Sequence, residues 1–110
     1  MKYGISKYEF QSLLSDKKCG YCQIEMIYPY DRKNRNRSLT IEHLNFDGPF
    51  YVRNGLRIED IILCCGKCNS SRGKKKIKDW FNSNYCIGLN INPETVSDIV
   101  KSYLKRNPDK

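Results

Sequence analysis

The sequence predicts a small α+β fold stapled by a metal ion, and three observations predict it. Two thiol pairs of matching spacing, Cys19-x-x-Cys22 and Cys65-x-x-Cys68, stand far apart in the chain. Between them Leu39-Thr40-Ile41-Glu42-His43-Leu44 alternates apolar and polar residues, the pattern of a half-buried strand. Helical signals flank this centre on both sides. With 110 residues there is room for one compact domain, and a core of that size gains from a staple.

The elements follow in order. Ser6-Lys7-Tyr8-Glu9 matches a capping box, and Phe10, Leu13 and Leu14 follow at helical spacing, which predicts a helix over 6–16. Cys19-Gly20-Tyr21-Cys22 reads as a tight turn between two thiols. Residues 23–30 are rich in β-branched and aromatic side chains and read as a strand. The polar stretch from Asp31 to Ser38 carries Arg32, Lys33, Arg35 and Arg37 and reads as a mobile basic loop. After the strand at 39–44, Asp47-Gly48-Pro49 breaks regular structure. Ile58 to Leu63 is a second strand candidate or the run-in to a helix. From about Cys65 a helix is expected to continue to Phe81, with Gly73, Ile77, Trp80 and Phe81 on one face and Lys74, Lys75 and Lys78 elsewhere. Asn92-Pro93-Glu94 is a helix start, so a last helix is expected over 93–105, within a C-terminal extension spanning 92–106.

The four cysteines Cys19, Cys22, Cys65 and Cys68 carry the sharpest signal. A Cys-x-x-Cys knuckle lets two thiolates reach one ion, and two knuckles complete a tetrahedron. Four soft thiolates with no open position favour Zn²⁺ in a structural role. Residues 1–15 hold only short apolar runs broken by Lys and Glu, so no secretion signal is expected. Location inside the cell follows, in the cytoplasm or that of a host if the source is a phage or virus. There thiols bind metal more often than they pair. Cys64 and Cys86 read as buried apolar residues. A closed four-thiolate site cannot activate water, so any chemistry must lie elsewhere.

Charge points to a partner. Lys and Arg number 20 against 12 Asp and Glu, a formal charge of +8. Such an excess suits a polyanion, whose phosphates release counterions when neutralised. Arg72, Lys74, Lys75, Lys76 and Lys78 form one basic run, and Arg35 and Arg37, with Arg32 and Lys33, a second. Backbone contacts from such clusters give affinity without sequence specificity. No apolar run approaches the roughly 20 residues of a membrane helix.

The single histidine, His43, follows Glu42 directly, and Asn69 follows the last knuckle cysteine. Thr40-Ile41-Glu42-His43 followed by Cys65-Gly66-Lys67-Cys68-Asn69-Ser70-Ser71-Arg72-Gly73-Lys74 resembles the His-Asn-His (HNH) nuclease family in its zinc-knuckle branch. The resemblance runs from about Cys19 to Phe81. It implies a ββα-metal core over roughly 19–81, a hairpin and a helix that hold one divalent cation, within a single domain flanked by the terminal helices. It further implies that His43 is the general base and that Glu42 and Asn69 ligate Mg²⁺ or Mn²⁺. The substrate would be DNA, double-stranded, cut to 5′-phosphate and 3′-hydroxyl ends. The chemistry is consistent: imidazole titrates near neutrality, and carboxylate and amide oxygens suit a hard cation. Asn69 is expected to face His43.

Two positions depart from the family pattern. Glu42 stands where Asp is usual. Asp60 stands where the central Asn is usual, at a residue held to brace the loop and orient the histidine. An ionised Asp accepts hydrogen bonds but donates none. Asp47 is a further candidate ligand. A non-catalytic zinc-knuckle module that binds nucleic acid is the alternative, and a zinc-stapled protein-interaction domain a third. In those readings His43 is a structural histidine, Asn69 a helix cap and Glu42 a strand acid.

Overall fold

The alternating segment forms the predicted strand, and its pairing sets the frame for the rest. The computed structural model describes residues 17–44 and 60–108, together with Tyr8 and Gln11. Strand β1 (Leu39–His43) runs antiparallel to β2 (Ile61–Cys65), with Leu39 opposite Cys65, Ile41 opposite Leu63 and His43 opposite Ile61. Every residue of β2 is buried, as its unbroken apolar run requires. Tyr8 and Gln11 are helical; the rest of the helix predicted over 6–16, and the breaker Asp47-Gly48-Pro49, lie outside the described residues.

Helix α1 (Gly66–Arg72) follows β2 without a loop and packs on both strands. The continuous helix expected from Cys65 to Phe81 is in fact two. Gly73 adopts φ +53°, its N–H closes on the Asn69 carbonyl, and the chain restarts as α2 (Ile77–Phe81). Only glycine takes that left-handed φ at little cost, so Gly73 is a stop rather than a packing residue. The expected apolar face survives the break: Ile77, Trp80 and Phe81 are all buried.

Three further expectations need correction. Residues 23–30 are not a strand: Gln23 has φ +67°, and only isolated bridges form, Lys18 with Glu25 and Ile27 with Ser38. The segment turns back around the first knuckle, with Cys19 N–H on Ile24 O and Met26 N–H on Lys17 O. The basic stretch is not irregular throughout: Asp31 caps a 3-10 turn at Arg32–Asn34, and the Ser38 hydroxyl bridges the Asp31 and Asn34 carbonyls. The last helix starts later than Asn92. Asn92 instead holds a turn, taking the Glu94 N–H on its side chain, and the Ser97 N–H is tied to Gly20 O. Helix α4 (Asp98–Arg106) begins only after that tie, burying Val100 and Tyr103.

Helix α3 (Asn84–Leu89) was not foreseen. Its signal was present in Ser83, whose side chain accepts from Cys86 N–H as an N-cap. Among the described residues no helix is long and apolar enough to cross a membrane.

Candidate metal centre and the adjoining acid–histidine hairpin

The two knuckles meet because β2 delivers the second one beside the turn that carries the first. Gly20 N–H bonds Leu63 O, and Gly66 N–H bonds Ser38 O. Sγ atoms of Cys19, Cys22, Cys65 and Cys68 all lie within 4.8 Å of one another. Cys22 and Cys65 sulfurs are 3.8 Å apart. A tetrahedral ion with Zn–S bonds of about 2.3 Å sets sulfurs about 3.8 Å apart, so the cluster has the size of a zinc site. Four thiols this close share protons: Cys19 is driven down by hydrogen bonds from Cys22, Cys65 and Cys68, while Cys68 is driven up, first by Cys19. A divalent cation takes the place of those protons and lets all four ionise.

The surroundings suit thiolates. Tyr21 and Cys22 N–H groups point at Cys19 Sγ, 3.4 and 3.5 Å away. The Tyr85 hydroxyl lies 3.2 Å from Cys68 Sγ, and burial, then Cys68 itself, holds that phenol protonated as a donor. Such outer contacts fix ligands in place. Cys64 and Cys86 are fully buried and outside the cluster, as expected.

Each knuckle needs its glycine. A side chain on Gly20 would press into Ile62, and one on Gly66 into the backbone carbonyl of Arg35. A side chain can turn aside; a backbone oxygen cannot. Gly66→Ala is therefore expected to cost roughly 1–3 kcal/mol, read as a lower melting temperature. Gly88→Ala in α3, where nothing stands within 4 Å, serves as the control and should be neutral or mildly stabilising. Equal melting of the two variants would refute the close approach.

Helix α1 lays one face along β1. Asn69 Nδ2 donates to Thr40 Oγ1 at 3.0 Å, and Arg72, one turn on, reaches Glu42 Oε2 at 3.1 Å and Leu44 O at 2.8 Å. Thr40 and Glu42 share a strand face by alternation, as Asn69 and Arg72 share a helix face. Asn69 and Glu42 thus lie on the same side of the hairpin. His43 falls on the other face by the same alternation, which corrects the expectation that Asn69 faces it. His43 is buried and ends β1.

Arg72 is not a surface cation. It is 4 % exposed, and its guanidinium also bonds Lys75 O and the Tyr21 hydroxyl. Tyr21 in turn donates to Glu42 and packs edge-on against Trp80, with centroids 4.7 Å apart. Its basic neighbours in the sequence group Arg72 with the nucleic-acid contacts; its spacing from Asn69 is the signal for an inward face. Lys74, Lys75, Lys76 and Lys78 are exposed, although Lys75 and Lys78 also reach the Ser71 and Pro108 carbonyls. Arg35 and Arg37 are exposed as well.

Burial raises the Glu42 carboxyl above the usual carboxylate range, while Arg72 and Tyr21 pull it back. Removing Arg72 leaves that carboxylate buried without its counter-charge. Arg72→Ala should therefore lose roughly 3–5 kcal/mol, a fall in melting temperature above about 10 °C. Adding Glu42→Gln should recover part of the loss. Arg72→Ala melting within about 2 °C of wild type would rule out a structural role for the pair.

Asp60 sits where β2 begins. Its carbonyl takes the Leu44 N–H at 2.7 Å, immediately after His43, and its carboxylate accepts from Arg106 of α4 at 3.1 Å. Asp47 lies outside the described residues. No family model, curated protein or solved structure matches the chain.

Proposed function

We propose that this chain is a metal-dependent endonuclease of the HNH type, acting on DNA from a ββα core stapled by zinc. The observation that carries this reading is the unit formed by β1, β2 and α1. In it Asn69 of the helix bonds Thr40, two residues from Glu42 on the same strand face. That is the side on which the resemblance requires a divalent cation to be held. The Arg72 and Tyr21 bonds both fall on Oε2 of Glu42, and burial raises the carboxyl in spite of them. A hard cation suits such a group. Held by Glu42 and Asn69, Mg²⁺ or Mn²⁺ would supply charge stabilisation at the phosphate and the leaving oxygen.

His43 would take the proton of the attacking water. Because alternation puts it on the strand face opposite Asn69, the phosphate would have to lie across the end of β1, where the two faces meet. Asp60 is a positioning residue: its carbonyl holds the backbone just after His43, and Arg106 holds its carboxylate. This use needs a backbone carbonyl and an acceptor, both of which Asp supplies, so the departure from Asn is accommodated. The exposed cations Lys74, Lys75, Lys76, Arg35 and Arg37 would meet the phosphate backbone.

Zinc-loaded protein should nick supercoiled plasmid when Mg²⁺ or Mn²⁺ is present and leave it intact when both are omitted. A second reading, a non-catalytic nucleic-acid module, is favoured by one observation: Arg72 and Tyr21 already give Glu42 a structural use. Plasmid retarded in a gel yet never nicked with either metal would establish that reading instead.

A further inference from the structure

A cleft of about 670 Å³ opens between the 3-10 turn at Arg32–Asn34 and α3, beside the metal cluster. Its walls carry Arg32, Lys33, Arg35, Arg37 and Lys67, all exposed, and no acidic residue lines it. Asp31, the acid of this loop, is turned to its own backbone and side chains, accepting from Lys33 N–H at 3.0 Å and Asn34 Nδ2 at 2.8 Å. Among the described residues none of the five cations is in an ion pair with a carboxylate. Ile24, Tyr85 and Leu89 add apolar surface to the lining, and Cys22 and Cys65 of the thiol cluster line it too.

A surface like this focuses positive potential, because several cations flank a low-dielectric concavity. The loop backbone is also tied to its surroundings. Lys67 N–H bonds Asn36 O, Gly66 N–H bonds Ser38 O, and Ile27 N–H bonds Arg37 O, so the cations are held against the second knuckle rather than on a free arm. Lys67 leans over the Tyr85 ring at 5.9 Å, which keeps its ammonium at the rim.

The geometry points to this cleft as a second contact site for the phosphodiester backbone of nucleic acid, apart from the Glu42–Asn69 side of the hairpin. The inference rests on the nucleic-acid reading above. The cleft adjoins the Leu39–Cys65 end of the hairpin, and His43 ends β1 at the other. Four residue steps at about 3.4 Å separate them by about 14 Å. A duplex strand carries one phosphate per roughly 3.4 Å of axis. A backbone that reaches the cleft would therefore do so a few phosphates away from the one being cut.

The test is duplex binding by fluorescence anisotropy across a salt series, with a labelled oligonucleotide and zinc-loaded protein. Each phosphate contact contributes about 0.9 to the slope of log K against log salt. Arg35→Gln with Lys67→Gln should lower that slope by about 1.8 with zinc content unchanged. A second readout uses Cys22, which is half-buried at the edge of the cleft. Saturating duplex should slow zinc release by a thiol-alkylating reagent. An unchanged slope in the double variant, or zinc release at the same rate with and without duplex, overturns the inference; plasmid nicking by the unaltered protein, read separately, decides the nuclease reading. Binding that depends on the cleft in a protein that never nicks upholds the inference and sinks the nuclease. No duplex binding at all sinks both.

Discussion

His43→Ala protein should bind DNA as wild type does and fail to nick it, with a rate lower by roughly 10²- to 10⁴-fold, the range for losing a general base. The chain has one histidine, so no other imidazole stands in. His43 is buried at the end of β1, so removing its ring also leaves space in the packing. A stability loss alone lowers the folded fraction, which zinc content and a melting curve read directly. His43→Gln, closer in volume, separates the two effects further. Both variants should hold one zinc per chain, melt cooperatively and stay inactive. Nicking within a few-fold of wild type by folded His43→Gln would remove His43 from the chemistry. Failure of folded Glu42→Gln to change the metal requirement would likewise move the cation elsewhere.

What could be read from the sequence was what spacing alone dictates. Two thiols separated by two residues can share an ion whatever the fold around them, so Cys19, Cys22, Cys65 and Cys68 were legible and do converge. The alternation of residues 39–43 was legible for the same reason, since side chains of a strand point to alternate faces. The paired partner was harder. Residues 61–65 are apolar throughout, and such a run has no period to tell a buried strand from a helix.

The misses share a physical cause, tertiary contacts overriding local preference. Asn92-Pro93 has the residues of a helix start, but the Ser97 N–H is taken by Gly20 O, and α4 can begin only after it. Arg72 sits in a run of cations that are otherwise exposed, yet its place one turn beyond Asn69 turns it under the helix onto Glu42. Arg106 on Asp60 and Tyr85 on Cys68 join residues far apart in sequence, and no local pattern announces either. Spacing puts Gly73 on a helical face, but its left-handed φ makes it the end of the helix.

Zinc removal should have the largest effect on the molecule as a whole. Cys19, Cys65 and Cys68 are themselves buried and belong to the hydrophobic core, so ligand set and core are lost together. Structural zinc contributes on the order of 10–16 kcal/mol at neutral pH, comparable with or larger than the roughly 5–15 kcal/mol of a whole domain. Cys68→Ser should therefore lose the cooperative melting transition and the near-ultraviolet signal of buried Trp80 and Tyr21. A strong chelator should do the same to wild type, with recovery on adding Zn²⁺. Cys64→Ala separates ligation from burial. Its thiol is equally buried, pushed far up by that burial, and lies 3.5 Å from Thr40 Oγ1 rather than in the cluster. That variant should keep one zinc per chain and pay only a packing cost. If Cys68→Ser melted cooperatively with zinc still bound, the four-thiolate site would be wrong; if Cys64→Ala lost the metal, Cys64 rather than Cys65 would be the fourth ligand.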